Sequence, residues 1–291
     1  MQSLWQDLRY GWRMLWQHRG LTLVAVVSLA LGIGANIAIF NAVNAFYRRP
    51  FPVQDIESLV AVFTSFEGVG RYGTTSYPDY ADLRDQNSVF SDLAAYTYFP
   101  MGVRGPNRTE VVTGELVSWH YFQVLGVKPD LGRAFLSEED QTPETHPVAV
   151  LSHRLWRTMF GSNQNILGQT VHVNGYAFTV VGIAPEMFRG MSVLLSTDVW
   201  VPLHMAERAS PITPQFDGRI DPWLFLIGRL KPGVTLERAR ADLELLAANL
   251  KDEYPENQGK SVTVIEASHN RFGFGPMDQV RGAATAVSYT H

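Results

Sequence analysis

The sequence predicts an α+β fold: one N-terminal transmembrane helix, then a folded domain of two β-α-β units separated by a β-rich insert. Three observations carry this reading. Residues 20–47 contain no charged side chain. Two later stretches, about 58–108 and about 221–268, each read as strand, helix, strand. The stretch between them, 109–205, is rich in short apolar runs bounded by turn residues. The expected organisation is an interfacial helix over 1–19, a transmembrane helix over 20–47, a first part over 48–108, the insert over 109–205, a second part over 206–270 and a tail over 271–291.

Composition bounds the alternatives. Of the 291 residues, 46% are hydrophobic and 18% charged, which supplies a core and is too little charge for disorder. The net charge of −4 argues against a nucleic-acid binder, which shows a basic footprint. The absence of cysteine excludes disulfide staples, zinc thiolate sites and thiol catalysis. A domain this large can stand outside the cytoplasm on its core alone.

The N-terminus comes first. On a helical wheel Leu4, Trp5, Leu8, Trp12, Leu15 and Trp16 share one face, and Gln6, Asp7, Arg9, Arg13 and Gln17 share the other. That is an interfacial amphipathic helix, with Trp5, Trp12 and Trp16 at headgroup level and Arg9 and Arg13 towards phosphate. It serves equally well as a surface anchor or as a docking helix for a cytoplasmic partner. Arg19 and Arg48 then bracket an uncharged run whose most apolar part is LTLVAVVSLALGIGANIAIF. About 20 such residues cross the hydrocarbon core. Asn36, Asn41 and Asn44 are costly in lipid unless they meet protein or water. Together with Gly32 and Gly34 they suggest a face that packs on protein, although Asn41 and Asn44 also suit the interface. A cleaved signal peptide is the competing reading, with Val43-Asn44-Ala45 as the site, but the apolar run is about twice the ~7–15 residues of a signal core. Arg9, Arg13 and Arg19, opposed only by Asp7, favour a cytoplasmic N-terminus, while Arg48 and Arg49 weaken the asymmetry.

The domain elements follow in order. SLVAVFT (58–64) is a strand. Ser76 caps the next helix, with Pro78 in its first turn and Asp79 placed as in a capping box. A strand over 93–99 completes the first unit. In the insert, PVAVLS (147–152) reads as a buried strand and 153–160 as a short helix. Asn174-Gly175 between two β-rich runs is the strongest hairpin signal in the chain. DVWVP (198–202) closes the region. WLFLIGRL (223–230) is a strand, and Lys231-Pro232-Gly233 is a turn. Thr235 caps a helix whose Leu236, Ala239, Leu243, Leu246, Ala247 and Leu250 form an apolar stripe. Arg238/Asp242 and Arg240/Glu244 stand at i,i+4 on its outer face. SVTVIEA (261–267) is the last strand.

Several segments in this order resemble one family. DLRYGWRML and LALGIGANIAIFNAVNAFYRRPFP are similar to the N-terminus of MacB-type ABC transporter permeases, nearest to the acidobacterial-type orphan permeases. SYPDYADLRDQNSVFSDLAAY, YFQVLGVKPDLGRAF, PVAVLSHRLW, NGYAFTVVGIAPEMFRG, DVWVPL and RLKPGVTLERARADL resemble stretches of the family's periplasmic core domain. The resemblance implies a porter-like domain held outside the bacterial inner membrane and split by the β-rich insert. It also implies a separate cytoplasmic ABC ATPase that binds the ATP, a homodimer or paired permease, and room for an extracytoplasmic adaptor. The chain would then be a non-enzymatic permease subunit of an export system, moved by the partner's ATP hydrolysis. The alternative is an FtsX-like regulator that transmits ATPase motion to an extracytoplasmic partner such as a cell-wall hydrolase. Members of the family carry further transmembrane helices after this domain, so a fragment or truncated product is expected.

Other chemistry finds no support in the motifs. There is no GxxxxGK[ST] loop, no HExxH and no GxSxG elbow, and Gly32-x-Gly34 lies inside the apolar helix. No catalytic, cofactor or metal residue is therefore assigned. For Glu138, Glu139 and Asp140 the expectation is a solvated helix start capped by Ser137, with a cation site as the alternative.

Overall fold

The computed structural model describes residues 17, 19–47, 52–68, 70–192, 195–211 and 214–270. They fall into two units, 1–50 and 51–291.

Among its described residues the first unit contains the helix α1 (Arg19–Tyr47), of 29 residues. Its Leu23, Val24, Val26, Val27, Leu29, Leu31, Ile33, Ile37 and Phe40 are all exposed, from 51% at Val27 to 72% at Leu31. Leu21, Ala25, Ile39 and 41–47 are described in backbone only, and among the described residues no helix is long and apolar enough to cross a membrane.

Among its described residues the second unit holds eleven strands and five α-helices. In chain order they are β1 (Leu59–Phe66), β2 (Gly70–Gly73), α2 (Tyr77–Gln86), β3 (Phe90–Arg104), β4 (Thr109–Val117), α3 (Tyr121–Leu125), β5 (Leu131–Gly132), β6 (Val148–Leu151), α4 (His153–Phe160), β7 (Thr170–Val173), β8 (Tyr176–Ile183), β9 (Thr197–Pro202), α5 (Ala206–Ala209), β10 (Phe225–Leu230), α6 (Leu236–Glu253) and β11 (Lys260–Glu266).

The two β-α-β units interlock. β10 runs antiparallel between β1 and β3, and β1 runs antiparallel between β10 and β11. The order β11-β1-β10-β3 is a split β-α-β, or ferredoxin-like, layer, in which each unit contributes the strand that fills the gap of the other. Helices α2 and α6 cover one face. Val60, Val62, Leu93, Leu226 and Val264 meet Tyr80 and Leu83 of α2 and Ala239, Leu243, Leu246 and Leu250 of α6. The alternate residues Leu59, Ala94, Tyr96 and Ile227 pack on the opposite side with Tyr121, Phe122 and Leu125 of α3.

The β-rich segment does not fold as a separate insert. β3 continues as far as Arg104, well beyond the expected end at 99, because it serves two layers. Its first half pairs with β10, its second half with β4, and its last two residues with β7. The pairings β3-β4-β9-β6-β8-β7 return to β3 and close a six-stranded barrel. Met101, Val103, Val112, Leu116, Val171, Val173, Phe178, Val180 and Val199 belong to the same apolar core as α2 and α6. A Cβ on Gly114 would collide with the Met101 side chain, so only glycine leaves room there.

Local signals landed where the backbone alone decides. Ser76 Oγ accepts from Asp79 N (3.3 Å), Ser152 Oγ from Leu155 N (2.9 Å) and Thr235 Oγ1 from Arg238 N (3.3 Å). Asn174 and Gly175 both take positive φ (50° and 89°), as a two-residue hairpin requires. Among the described residues the expected helical ion pairs do not form. Asp242 instead accepts from Ser88 Oγ (2.8 Å), and Arg240 Nε donates to Val264 O (2.9 Å), which occupies a carbonyl on the β11 edge.

Candidate functional site

Trp5, Arg9, Trp12, Arg13 and Trp16, the expected membrane-interface residues, lie outside the described residues. Gly32, Gly34 and Asn36 lie on α1 and are exposed, and nothing stands within 4 Å of a Cβ built on either glycine. Helical geometry separates the three. Gly32 and Asn36 are one turn apart and share a face with Ser28, whereas Gly34 is rotated about 200° from Gly32. A close helix–helix approach is therefore available along Ser28, Gly32 and Asn36.

In the second unit a cleft of about 410 Å³ opens between the ferredoxin-like layer and the barrel. Tyr77, Tyr80 and Arg84 reach it from one face of α2, Asp92 from the start of β3, Trp119 and His120 from the end of β4, and Asp140 and His204 from turns beside the barrel. His120 is buried, and its Nε2 lies 2.7 Å from Leu93 O. A carbonyl only accepts, so this nitrogen carries the proton. Tyr80 Oη is 3.3 Å from the same nitrogen. Burial pushes the Tyr80 phenol well up, and burial with the nearby Asp140 charge pushes Tyr77 up.

Asp140 corrects the expectation of a solvated acidic turn. It is buried, and its carboxylate accepts from Trp119 N, His204 N and His204 Nδ1, each at 3.0 Å. Glu139 is buried as well. Arg133 forks onto it at 2.7 and 2.8 Å, and its Oε2 accepts from Leu136 N, so the turn begins at Leu136 rather than being capped by Ser137. Among the described residues no three His, Asp or Glu side chains converge as a metal site. The Ser137 hydroxyl has only Glu138 at 3.5 Å, so no nucleophile faces a base here.

The densest charge cluster lies elsewhere. Asp79, expected as a capping-box partner, turns into the protein. Its Oδ1 accepts from Arg219 (2.7 Å) and Asn257 (3.0 Å), and its Oδ2 accepts from Lys260 (2.8 Å). Lys260 Nζ also donates to Arg219 O and Asn257 Oδ1. The Arg219 guanidinium lies 3.4 Å from the Tyr254 ring centroid and pairs with Asp82. Burial alone would raise the Asp79 carboxyl, but hydrogen bonds from Lys260 and Ser76 and the Lys260 charge outweigh it and hold the group below the usual range. These contacts tie α2 to β11 and to the segment before β10. Every polar atom of the Lys260 ammonium is engaged, so the cluster is built for position rather than for chemistry.

Solved structures share this split β-α-β layer fused to a small barrel. The periplasmic region of MacB from Actinobacillus actinomycetemcomitans shares it with a TM-score of 0.54 at 16% identity, covering 78% of this chain and 92% of that one. The extracellular domain of the noncanonic ABC-type transporter YknZ from Gram-positive bacteria shares it with a TM-score of 0.51 at 16% identity, over 70% of this chain and 99% of that one. The MacB-like periplasmic core domain matches residues 22–246, and the chain belongs to that family. Among curated relatives, a probable export ATP-binding/permease protein of Pseudomonas fluorescens (strain Pf0-1) is 28% identical over 67% of this chain and 31% of its own length. The macrolide export ATP-binding/permease protein MacB of Burkholderia lata is 27% identical over 68% of this chain and 29% of its own. The chain thus spans about a third of the length of the relatives it matches.

Proposed function

We propose that the chain is the permease part of a MacB-like ABC export system, in which ATP hydrolysis by a cytoplasmic partner moves a domain held outside the bacterial inner membrane. The observation that carries this reading is the join of two features. Helix α1, uncharged after Arg19, displays nine large apolar side chains to its surroundings, and the match to the MacB-like periplasmic core family begins within it at residue 22 and runs on to 246. In water that surface would be unfavourable by roughly 25 cal/mol per Å², and lipid removes the penalty. α1 then spans the bilayer. Residues 1–19 lie along its cytoplasmic surface beside the ATPase. A second copy or a paired permease packs on the Ser28, Gly32 and Asn36 face.

In this reading ATP is bound by a separate ATPase, and residues 1–291 hold no phosphate loop. The domain performs no catalysis. Its work is mechanical, and an adaptor outside the membrane takes up the motion. The shared β3 supports this, since it pairs with the layer through β10 and with the barrel through β4 and so binds them into one body that can be moved as a piece.

The test is purification of the tagged full chain from membranes of its host in mild detergent. The reading predicts a co-purifying ABC ATPase, lost when Trp12 and Trp16 are replaced by Glu. A cell-wall hydrolase bound to the folded domain would turn the assignment to an FtsX-like regulator. Absence of any ATPase would contradict both.

A further inference from the structure

Glu115 is a carboxyl group with no counter-cation. It lies in the middle of β4, fully buried, opposite Tyr98 on β3 and beside Trp200 on β9. Its Oε1 accepts from Thr197 Oγ1 (2.7 Å), and its Oε2 accepts from Trp200 Nε1 (2.7 Å) and Tyr121 Oη (2.9 Å). The titratable groups that face it are Tyr96 and Tyr98 from β3 and Tyr121 from α3. β9 adds the neutral Thr197 and Trp200, the covering turn carries Arg189, and among the described residues no Arg, Lys or His forms an ion pair with the carboxylate. All its donors are neutral.

Sheet and α3 close most of its surroundings. The remaining wall is the turn 188–192. Gly190 (φ +84°) presses directly on the carboxylate, and a Cβ there would overlap Glu115 Oε1. Thr197 N donates to Arg189 O (3.0 Å), and Phe188 stacks on Trp200 with ring centroids 5.4 Å apart. The turn therefore folds back over the group that β9 holds.

We propose that Glu115 is a proton-operated latch beneath the 188–192 turn, which stays closed while the carboxyl is neutral and lifts to admit water as it ionises. The neutral acid finds acceptors close by. Thr197 Oγ1 is within hydrogen-bond distance, and the buried Tyr98 stands directly opposite Glu115 across the β3–β4 pair. The ionised acid has only neutral dipoles to replace water, which leaves a buried charge uncompensated. Hydration through the turn is its cheapest relief, because every other wall is sheet or helix. Burial pushes the Glu115 carboxyl up to about 7, against hydrogen bonds from Thr197, Tyr121 and Trp200 that pull it down.

Hydrogen exchange of the full chain in detergent between pH 5 and 8, corrected for the intrinsic rate, tests the latch. A folded acid raised above its open-state value makes opening rise with pH between the two, on the order of tenfold per unit, and level off above the higher one. Peptides covering 188–192 are expected to lose protection from pH 5 to about 7 and then plateau, while β1 and β11 peptides do not change. Glu115→Gln, isosteric and unable to ionise, flattens the curve. Tyr121→Phe removes one donor from the carboxylate and moves the plateau to higher pH. A flat wild-type curve, a Glu115→Gln curve that follows the wild type, or a Tyr121→Phe curve that leaves the plateau in place would each overturn the proposal.

Discussion

At the residue scale, two of the carboxyls buried in the interior are treated in opposite ways. Asp79 is surrounded by Lys260, Arg219 and Asn257 and is held ionised. Glu115 is surrounded by neutral donors. Removing one partner of a buried charge cluster leaves the others unpaired, so Asp79→Ala should destabilise the domain by about 3–5 kcal/mol, read from denaturant unfolding. Because the Asp79 carboxyl is held below its unfolded value, its contribution is present above the ordinary aspartate range and is lost as pH falls through the folded value. Wild type should therefore melt lower at pH 3 than at pH 6, and Asp79→Asn should show a smaller difference. Neither role was legible in the sequence. Asp79 stands three residues after an N-cap serine, where a local partner is the ordinary expectation, and its true partners are 140 to 181 positions away. Glu115 did carry a faint signal, as an acid among the apolar residues of TEVVTGELV.

At the scale of the element, what was readable is what the backbone settles within a few residues. The Ser76 and Thr235 caps and the Asn174-Gly175 turn depend on local hydrogen bonds and on φ, and they fall where expected. Gly175 has open space around it, so Gly175→Ala should cost about 1–2 kcal/mol from the left-handed backbone alone. Asn174→Ala should cost more. Its Oδ1 accepts from Gly102 N (2.7 Å) and its Nδ2 donates to Ala209 O (2.8 Å), so the turn also pins β3 to α5. A comparison of the two variants by thermal melting separates strain from lost bonds. The apolar stripe of α6 was likewise legible, since Ala239, Leu243, Leu246 and Leu250 are all buried. Leu243→Ala at its centre should cost about 2–5 kcal/mol in the same assay. The charged face of α6 was misread because tertiary partners, Ser88 and Val264, compete successfully with weak i,i+4 pairs.

At the scale of the whole molecule, element order was readable and pairing was not. Strand, helix, strand appears twice in the sequence, but nothing in either stretch says that β10 inserts between β1 and β3. Barrel closure was hidden for the same reason. It rests on two residues at the end of β3, Val103 and Arg104, meeting Val173 and His172 of β7. The helix before the domain raises the opposite problem. Its composition was plain from the start, and α1 exposes nine large apolar side chains.

The central claim is that this domain lies outside the cytoplasm while the chain stays in the membrane, and the chain offers a clean means of testing it. It has no cysteine, so a single introduced thiol reports alone. Val111 is 77% exposed on β4, which makes Val111→Cys a reporter that leaves the core untouched. Cells expressing this variant would be treated with a membrane-impermeant maleimide before and after lysis, and the membranes then washed with carbonate. The account predicts labelling of intact cells, with the labelled chain retained in the washed membrane. Labelling only after lysis, or a labelled chain recovered in the soluble fraction, would contradict it.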